Sequence, residues 1–105
     1  MLDLAPEQLA EVRRILQSHV PGLAVRVFGS RVQGKARPFS DLDLAVMSET
    51  PLDSRQLAAL KDAFAESDLP FRVDVVDWAA TSQAFQEIIE RGYEVLSDRS
   101  PYDFQ

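Results

Sequence analysis

Apolar residues recur along this chain at two spacings, and the spacings mark out helices and strands. From Pro6 to Ser18 the residues Leu9, Val12, Ile15 and Leu16 form the stripe of an amphipathic helix. Pro6 suits its first turn, and Pro21-Gly22 lies beyond its end. His19, the single histidine, falls at that end, where it suits the helix dipole better than catalysis. Leu23 to Phe28 alternates as a strand does, with Val25 and Val27 on one face and Ala24, Arg26 and Phe28 on the other. Asp41 to Met47 alternates again: Leu42, Leu44 and Val46 share one face, Asp41 and Asp43 the other. Thr50-Pro51-Leu52-Asp53 predicts a capped helix start, and Leu57, Leu60 and Phe64 give that helix a buried face to about Ser67. Leu69-Pro70 breaks the chain. Phe71 to Asp77 is a third strand, with Phe71, Val73 and Val75 opposite Arg72, Asp74 and Val76. Asp77 has the wrong parity for that second face and is expected to cap or turn. A last helix from Ala80 to Arg91 should bury Phe85, Ile88 and Ile89 and stop at Gly92. Tyr93 to Leu96 reads as a short edge strand, and residues 97–105 as a tail with Tyr102 and Phe104 available for docking.

These elements predict an α/β (α+β) domain: a small mixed β-sheet with helices packed on one face. In both acidic strands the carboxylates lie opposite the most apolar face. Helices covering that face would leave Asp41, Asp43 and Asp74 on the open one. The length, 105 residues, suits one domain, 1–105.

Composition narrows the function. Apolar residues make up 46%, enough for a real core. The absence of cysteine excludes disulfides and thiolate metal sites. Met1 to Leu4 shows no basic n-region or apolar h-region, and no apolar run is long enough to span a bilayer, so a cytoplasmic location is expected. A net charge of −6 argues against stable nucleic-acid binding, which needs a basic surface. One local basic group, Arg31, Lys35 and Arg37, lies between Gly29-Ser30 and the aspartates and suits a triphosphate.

The candidate chemistry sits in that interval. Asp41 and Asp43, two apart on a strand, have Cα atoms roughly 7 Å apart, so their carboxylates can converge on divalent cations. Magnesium takes hard oxygen ligands, and two ions about 3.5–4 Å apart can stabilise both attacking and leaving oxygens of an in-line displacement. Gly29-Ser30 at a strand end offers backbone N–H groups and a hydroxyl to an anion. Each half has a plain alternative: a solvated strand face for the aspartates, an ordinary turn for Gly-Ser. Gly29 to Lys35 also matches the start of a P-loop, but Ala36 stands where Ser or Thr is needed and Pro38 stops the long helix that motif opens. Nucleotide-sugar glycosyltransferases also use Asp-x-Asp, on a larger sheet than this chain can build.

The run Gly29-Ser30, ten residues, Asp41-Leu42-Asp43, with Asp74 on a later strand, resembles the nucleotidyltransferase superfamily that includes DNA polymerase β. Within it, the stretch from Gly29 to Val46 is similar to the minimal nucleotidyltransferase (MNT) antitoxins of HEPN–MNT toxin–antitoxin pairs. The resemblance spans Leu23 to Leu96. It implies the polymerase β-like fold and a roster of roles. Gly29 and Ser30 would hold the triphosphate, with Arg31, Lys35 and Arg37 as further nucleotide-binding residues. Asp41 and Asp43 would ligate two Mg²⁺ ions, and Asp74 would hold the one that activates the acceptor hydroxyl. Gln33 departs from a second arginine common in relatives, a contact Lys35 could supply. The chain has no room for domains that grip primer and template. The resemblance therefore implies a protein acceptor: AMP passes from ATP to a hydroxyl, expected on a tyrosine of a cognate HEPN toxin in a hetero-oligomer. The alternative is a binding-only antitoxin that occludes its partner without catalysis.

Overall fold

The structure, a computed structural model, describes residues 2–97. Three helices and four strands follow in the order α1 (Pro6–His19), β1 (Val25–Phe28), β2 (Leu42–Val46), α2 (Ser54–Ala65), β3 (Val73–Asp77), α3 (Gln83–Glu90) and β4 (Tyr93–Ser97) among the described residues. The expected tail loses Ser97 to β4, and the docking role expected of Tyr102 and Phe104 lies outside the described residues.

The strands form one sheet in the order β3-β2-β1-β4. β1 is antiparallel to β2 and β4, while β2 and β3 run parallel. Parallel neighbours need a crossover, and α2 provides it. The sheet is mixed, as expected, and β3 and β4 are its edge strands.

The alternation seen in the sequence translates directly into burial. Val25, Val27, Leu42, Leu44, Val46 and Val75 turn to one face and pack against Val12, Ile15 and Leu16 of α1 and Leu60 and Phe64 of α2. Burying each such side chain contributes about 1.5–3 kcal/mol. Leu44 is fully buried on this face, and its truncation to alanine would open a void costing about 2–5 kcal/mol. α1 starts as expected: Pro6 occupies its first turn, and Gln8 Oε1 accepts from the Ala5 N–H at 3.0 Å. His19 is its last residue, in the dipole position expected.

Three expectations need correction. The second helix begins at Ser54, not at Thr50-Pro51. The carboxylate of buried Asp77 explains the delay: it accepts from the Leu52 N–H at 2.8 Å and from the Ser48 hydroxyl, pinning residues 48–52 to the end of β3. Asp77 stands at the strand end, ahead of the turn Trp78–Ala80 as expected, but its side chain ties down this distant loop and makes no cap bond to that turn. The last helix also starts later, at Gln83. A 3₁₀ turn at Trp78–Ala80 precedes it, and Ser82 caps it by accepting from Phe85 N–H at 3.2 Å. Ile88, expected in the core, is 54% exposed, whereas Ile89 is buried. Neighbours on a helix point about 100° apart, so a short helix lying on a surface buries one of the two.

The helices also do not all lie on one face. Register places Arg26 opposite Ala45 and Phe28 opposite Asp43, so both side chains stand on the aspartate face. There Phe28 meets Phe85 of α3 edge-to-face, with ring centroids 5.8 Å apart. Arg26 stacks over Tyr93 at 4.0 Å and Trp78 at 5.4 Å, with the Glu90 carboxylate 4.0 Å away. Ala45 and Ile89 are buried outside the main core cluster. α3 therefore roofs one half of the aspartate face, and the open half is confined to the end where β2 and β3 begin.

Candidate active site

The topology brings three strand ends to that open half. β1 runs antiparallel to β2, so it finishes beside the start of β2. β3 runs parallel to β2, so the two start together. The end of β1 delivers Gly29-Ser30, the start of β2 delivers Asp41 and Asp43, and the start of β3 delivers Asp74. Asp43 and Asp74 are direct cross-strand partners. Neighbouring strands are about 4.8 Å apart, so these two carboxylates stand side by side on one face.

Gly29 is fitted to Asp43. Its φ of +85° lies in the left-handed region that side chains avoid. A Cβ there would collide with Asp43 Oδ2 and stand 3.3 Å from its Cγ. The missing side chain lets the turn lie directly against the carboxylate. Ser30–Val32 then forms a single 3₁₀ turn, whose Ser30 carbonyl accepts from Gln33 N–H and Lys35 N–H, each at 3.2 Å. No long helix opens here, so the P-loop alternative has no structural support.

Crowding of negative charge shows in Asp43. Burial, then the charges of Asp74 and Asp41, push its pKa up to about 6, against a smaller opposing pull from Arg72. Arg72 was not picked out from the sequence as a site residue. Its Nη2 donates to Asp41 Oδ2 at 2.9 Å and to Asp74 Oδ2 at 3.4 Å. A signal for it existed: Arg72 shares the parity of Asp74, two residues on. Among the described residues, no three acidic, histidine or cysteine side chains stand at the spacing of a formed metal centre. The Arg72 guanidinium stands between the carboxylates of Asp41 and Asp74. The donor set still suits a hard divalent cation: three carboxylates, two of them well exposed, one raised in pKa by burial and then by the charges of the other two.

The basic residues separate into two groups. Lys35 and Arg37 are exposed on the loop that joins the Gly-Ser turn to β2. Arg31, expected at the phosphates, is corrected by its surroundings: it is only 4% exposed. Its guanidinium donates to the carbonyls of Ser40 (3.0 Å), Asp3 (2.9 Å), Pro38 (3.1 Å) and Arg37 (3.4 Å), and stacks 4.2 Å from the centre of the Phe71 ring. With these four bonds to backbone oxygens, the buried Arg31 guanidinium holds the loop in place. Ser48 was also missed. Buried beside Asp77, it accepts from Ala79 N–H at 3.2 Å as well as donating to that carboxylate, a structural task far from the carboxylate trio. A cleft of ≈ 480 Å³ bounded by Leu23, Met47, Thr50, Leu52 and Gln56 lies at this opposite end of β2, away from the trio.

This geometry has relatives. The family model "Polymerase beta, Nucleotidyltransferase" matches residues 10–102. A "Probable protein adenylyltransferase MntA" of Haemophilus influenzae is 55% identical over 98 residues, covering 93% of this chain and 86% of the relative. Among solved structures, a toxin–antitoxin complex with AMP-PNP superposes with a TM-score of 0.72 at 28% identity, covering 85% of this chain and 72% of that one. A tri-AMPylated Shewanella oneidensis HEPN toxin in complex with its MNT antitoxin gives a TM-score of 0.66 at 26% identity, covering 85% and 68%. The match across nearly the whole length, on a sheet that gathers Gly29-Ser30, Asp41, Asp43 and Asp74 at one end, shows that the chain belongs to the polymerase β-type nucleotidyltransferase family.

Proposed function

We propose that this nucleotidyltransferase moves AMP from ATP to a hydroxyl, expected on tyrosine, of a HEPN-family partner, and that it acts in this way as an antitoxin. The observation that carries the chemistry is the trio Asp41, Asp43 and Asp74 set against the side-chain-free Gly29 turn. The choice of acceptor is supported by the relatives, named for protein adenylylation and seen with an AMPylated HEPN toxin. It is also supported by the acidic charge of −6, which gives little purchase on nucleic acid.

In this reading Gly29 and Ser30 seat the triphosphate, with Lys35 and Arg37 able to swing onto its outer oxygens. Asp41 and Asp43 would hold Mg²⁺, two ions with the help of Asp74. Bound there, magnesium would neutralise charge developing at the α-phosphate and acidify the acceptor hydroxyl. Asp74, on the sheet-edge strand β3, is the carboxylate this reading assigns to the acceptor. The acceptor oxygen bonds to the α-phosphorus, the bond to the bridging oxygen of the β-phosphate breaks, and pyrophosphate leaves. The hydroxyl proton passes to Asp74 or to water.

The test is incubation of the chain with ATP, Mg²⁺ and a purified HEPN-family protein, followed by intact mass spectrometry. A parallel reaction offers labelled ATP with tRNA or oligonucleotides. AMP-sized mass on the protein supports the proposal. Label on nucleic acid instead, or silencing of the partner with no mass gained, overturns it.

A further inference from the structure

Arg26 and Arg31 are held by aromatic rings and buried carbonyls, but Arg72 is held differently. Its side chain is 73% exposed, and its hydrogen bonds run to Asp41 and Asp74. An exposed ion pair gains little, and ordering a long side chain costs entropy. The arginine is nevertheless placed by the sheet. The Leu42 N–H donates to the Arg72 carbonyl at 2.9 Å, which continues the parallel ladder one step and sets Arg72 beside Asp41. Two steps along the same strand, on the same face, stands Asp74. The guanidinium thus lies between carboxylates on adjacent strands, where a cation would satisfy both.

We propose that Arg72 is a positioning residue: an internal counter-cation that pairs with Asp41 and Asp74 in the metal-free chain and is displaced when a divalent metal binds. This rests on the reading of the trio as metal ligands. A single nitrogen, Nη2, carries both bonds, so the exposed guanidinium can leave the two carboxylates together and turn out into solvent. The consequence is competition. The arginine lowers the net negative charge that attracts the metal and keeps the two carboxylates neutralised until metal arrives with nucleotide.

The experiment titrates Mn²⁺, as a spectroscopic stand-in for Mg²⁺, into the metal-free 105-residue chain and reads free ion by electron paramagnetic resonance. Arg72→Gln is expected to bind Mn²⁺ about fivefold more tightly than wild type, the scale of an ion pair of this exposure, and to melt lower in EDTA. Arg72→Lys, which keeps the charge, is expected to stay within about twofold of wild type. A merely structural arginine would not tighten metal binding when removed. Unchanged or weaker Mn²⁺ binding by Arg72→Gln overturns the inference, provided that Asp43→Asn weakens binding as a ligand change should. If wild type binds no Mn²⁺, or Asp43→Asn binds it as well as wild type does, the ligand reading falls and this inference with it.

Discussion

Replacing Asp43 with asparagine should stabilise the metal-free protein near neutral pH. An ordinary aspartate titrates near 3.9, and Asp43 in the fold titrates at about 6. A gap of about two in pKa corresponds to about 3 kcal/mol of penalty on the charged form. Solvent reaches part of this side chain, so screening brings the effect to about 1 kcal/mol. The sign follows from proton counting. Between the unfolded and folded pKa values the native state binds more protons, so stability is greatest below about 4 and falls as pH rises through about 6. Asparagine carries no such burden and is nearly isosteric. In EDTA, Asp43→Asn should therefore match wild type at pH 4 and melt about 4–8 °C higher at pH 7.5. Thermal melts of both proteins across that range, followed by far-ultraviolet circular dichroism, measure the difference directly. A mutant that melts lower than wild type at pH 7.5, or an offset that does not change with pH, would refute the reasoning. Mg²⁺ with ATP should then reverse the order, raising wild type far more than the variant, because a ligand stabilises only the state that binds it.

Gly29→Ala should cost about 1–3 kcal/mol and most of the ATP-induced rise in melting temperature, since the added Cβ is both conformationally strained and driven into Asp43; denaturant unfolding and thermal shift check the two parts. Arg31→Lys should lower stability by about 2–4 kcal/mol, because an ammonium cannot reach the four carbonyls that the guanidinium serves. A variant of normal stability that had lost ATP affinity alone would return Arg31 to the phosphates. Asp74→Asn should reduce adenylation of the partner on the order of a hundredfold or more while keeping most nucleotide-induced stabilisation, if its carboxylate serves the acceptor; near-normal turnover in the mass-spectrometric assay would remove it from the site.

The parts of this fold that were legible in advance are those where local pattern and burial report the same thing. Leu42, Leu44 and Val46 alternate with Asp43, and the sheet buries the first three completely while leaving the last partly solvated. Asp74 was placed by the same alternation one strand over. What escaped depends on partners distant in sequence. Arg31 looks like a surface cation until Phe71 arrives beneath it and Asp3 beside it. Thr50-Pro51 has the composition of a helix start, but Asp77 takes the Leu52 amide and postpones the helix. The layering of α3 escaped for a related reason. Arg26 and Phe28 carry no sign that an aromatic pair from beyond β3 will cover them. Arg72 was visible by parity, but a single basic residue beside an acid does not reveal that it will bridge two strands.

The bond between Arg31 and Asp3 has a practical consequence for handling the protein. Asp3 N–H donates to the Arg31 carbonyl at 2.9 Å, and the Arg31 side chain returns a bond of 2.9 Å to the Asp3 carbonyl. The same guanidinium clamps Pro38 and Ser40, immediately ahead of Asp41. Asp3 is thus a stitch in the loop that leads to Asp41, although it lies outside every helix and strand. A purification tag or trimmed start that loosens Asp3 would slacken the segment leading into Asp41 and be mistaken for a defect of catalysis. The opposite end of the sheet, at the cleft beside Met47 and Thr50, is the better place to attach a dye or a surface anchor.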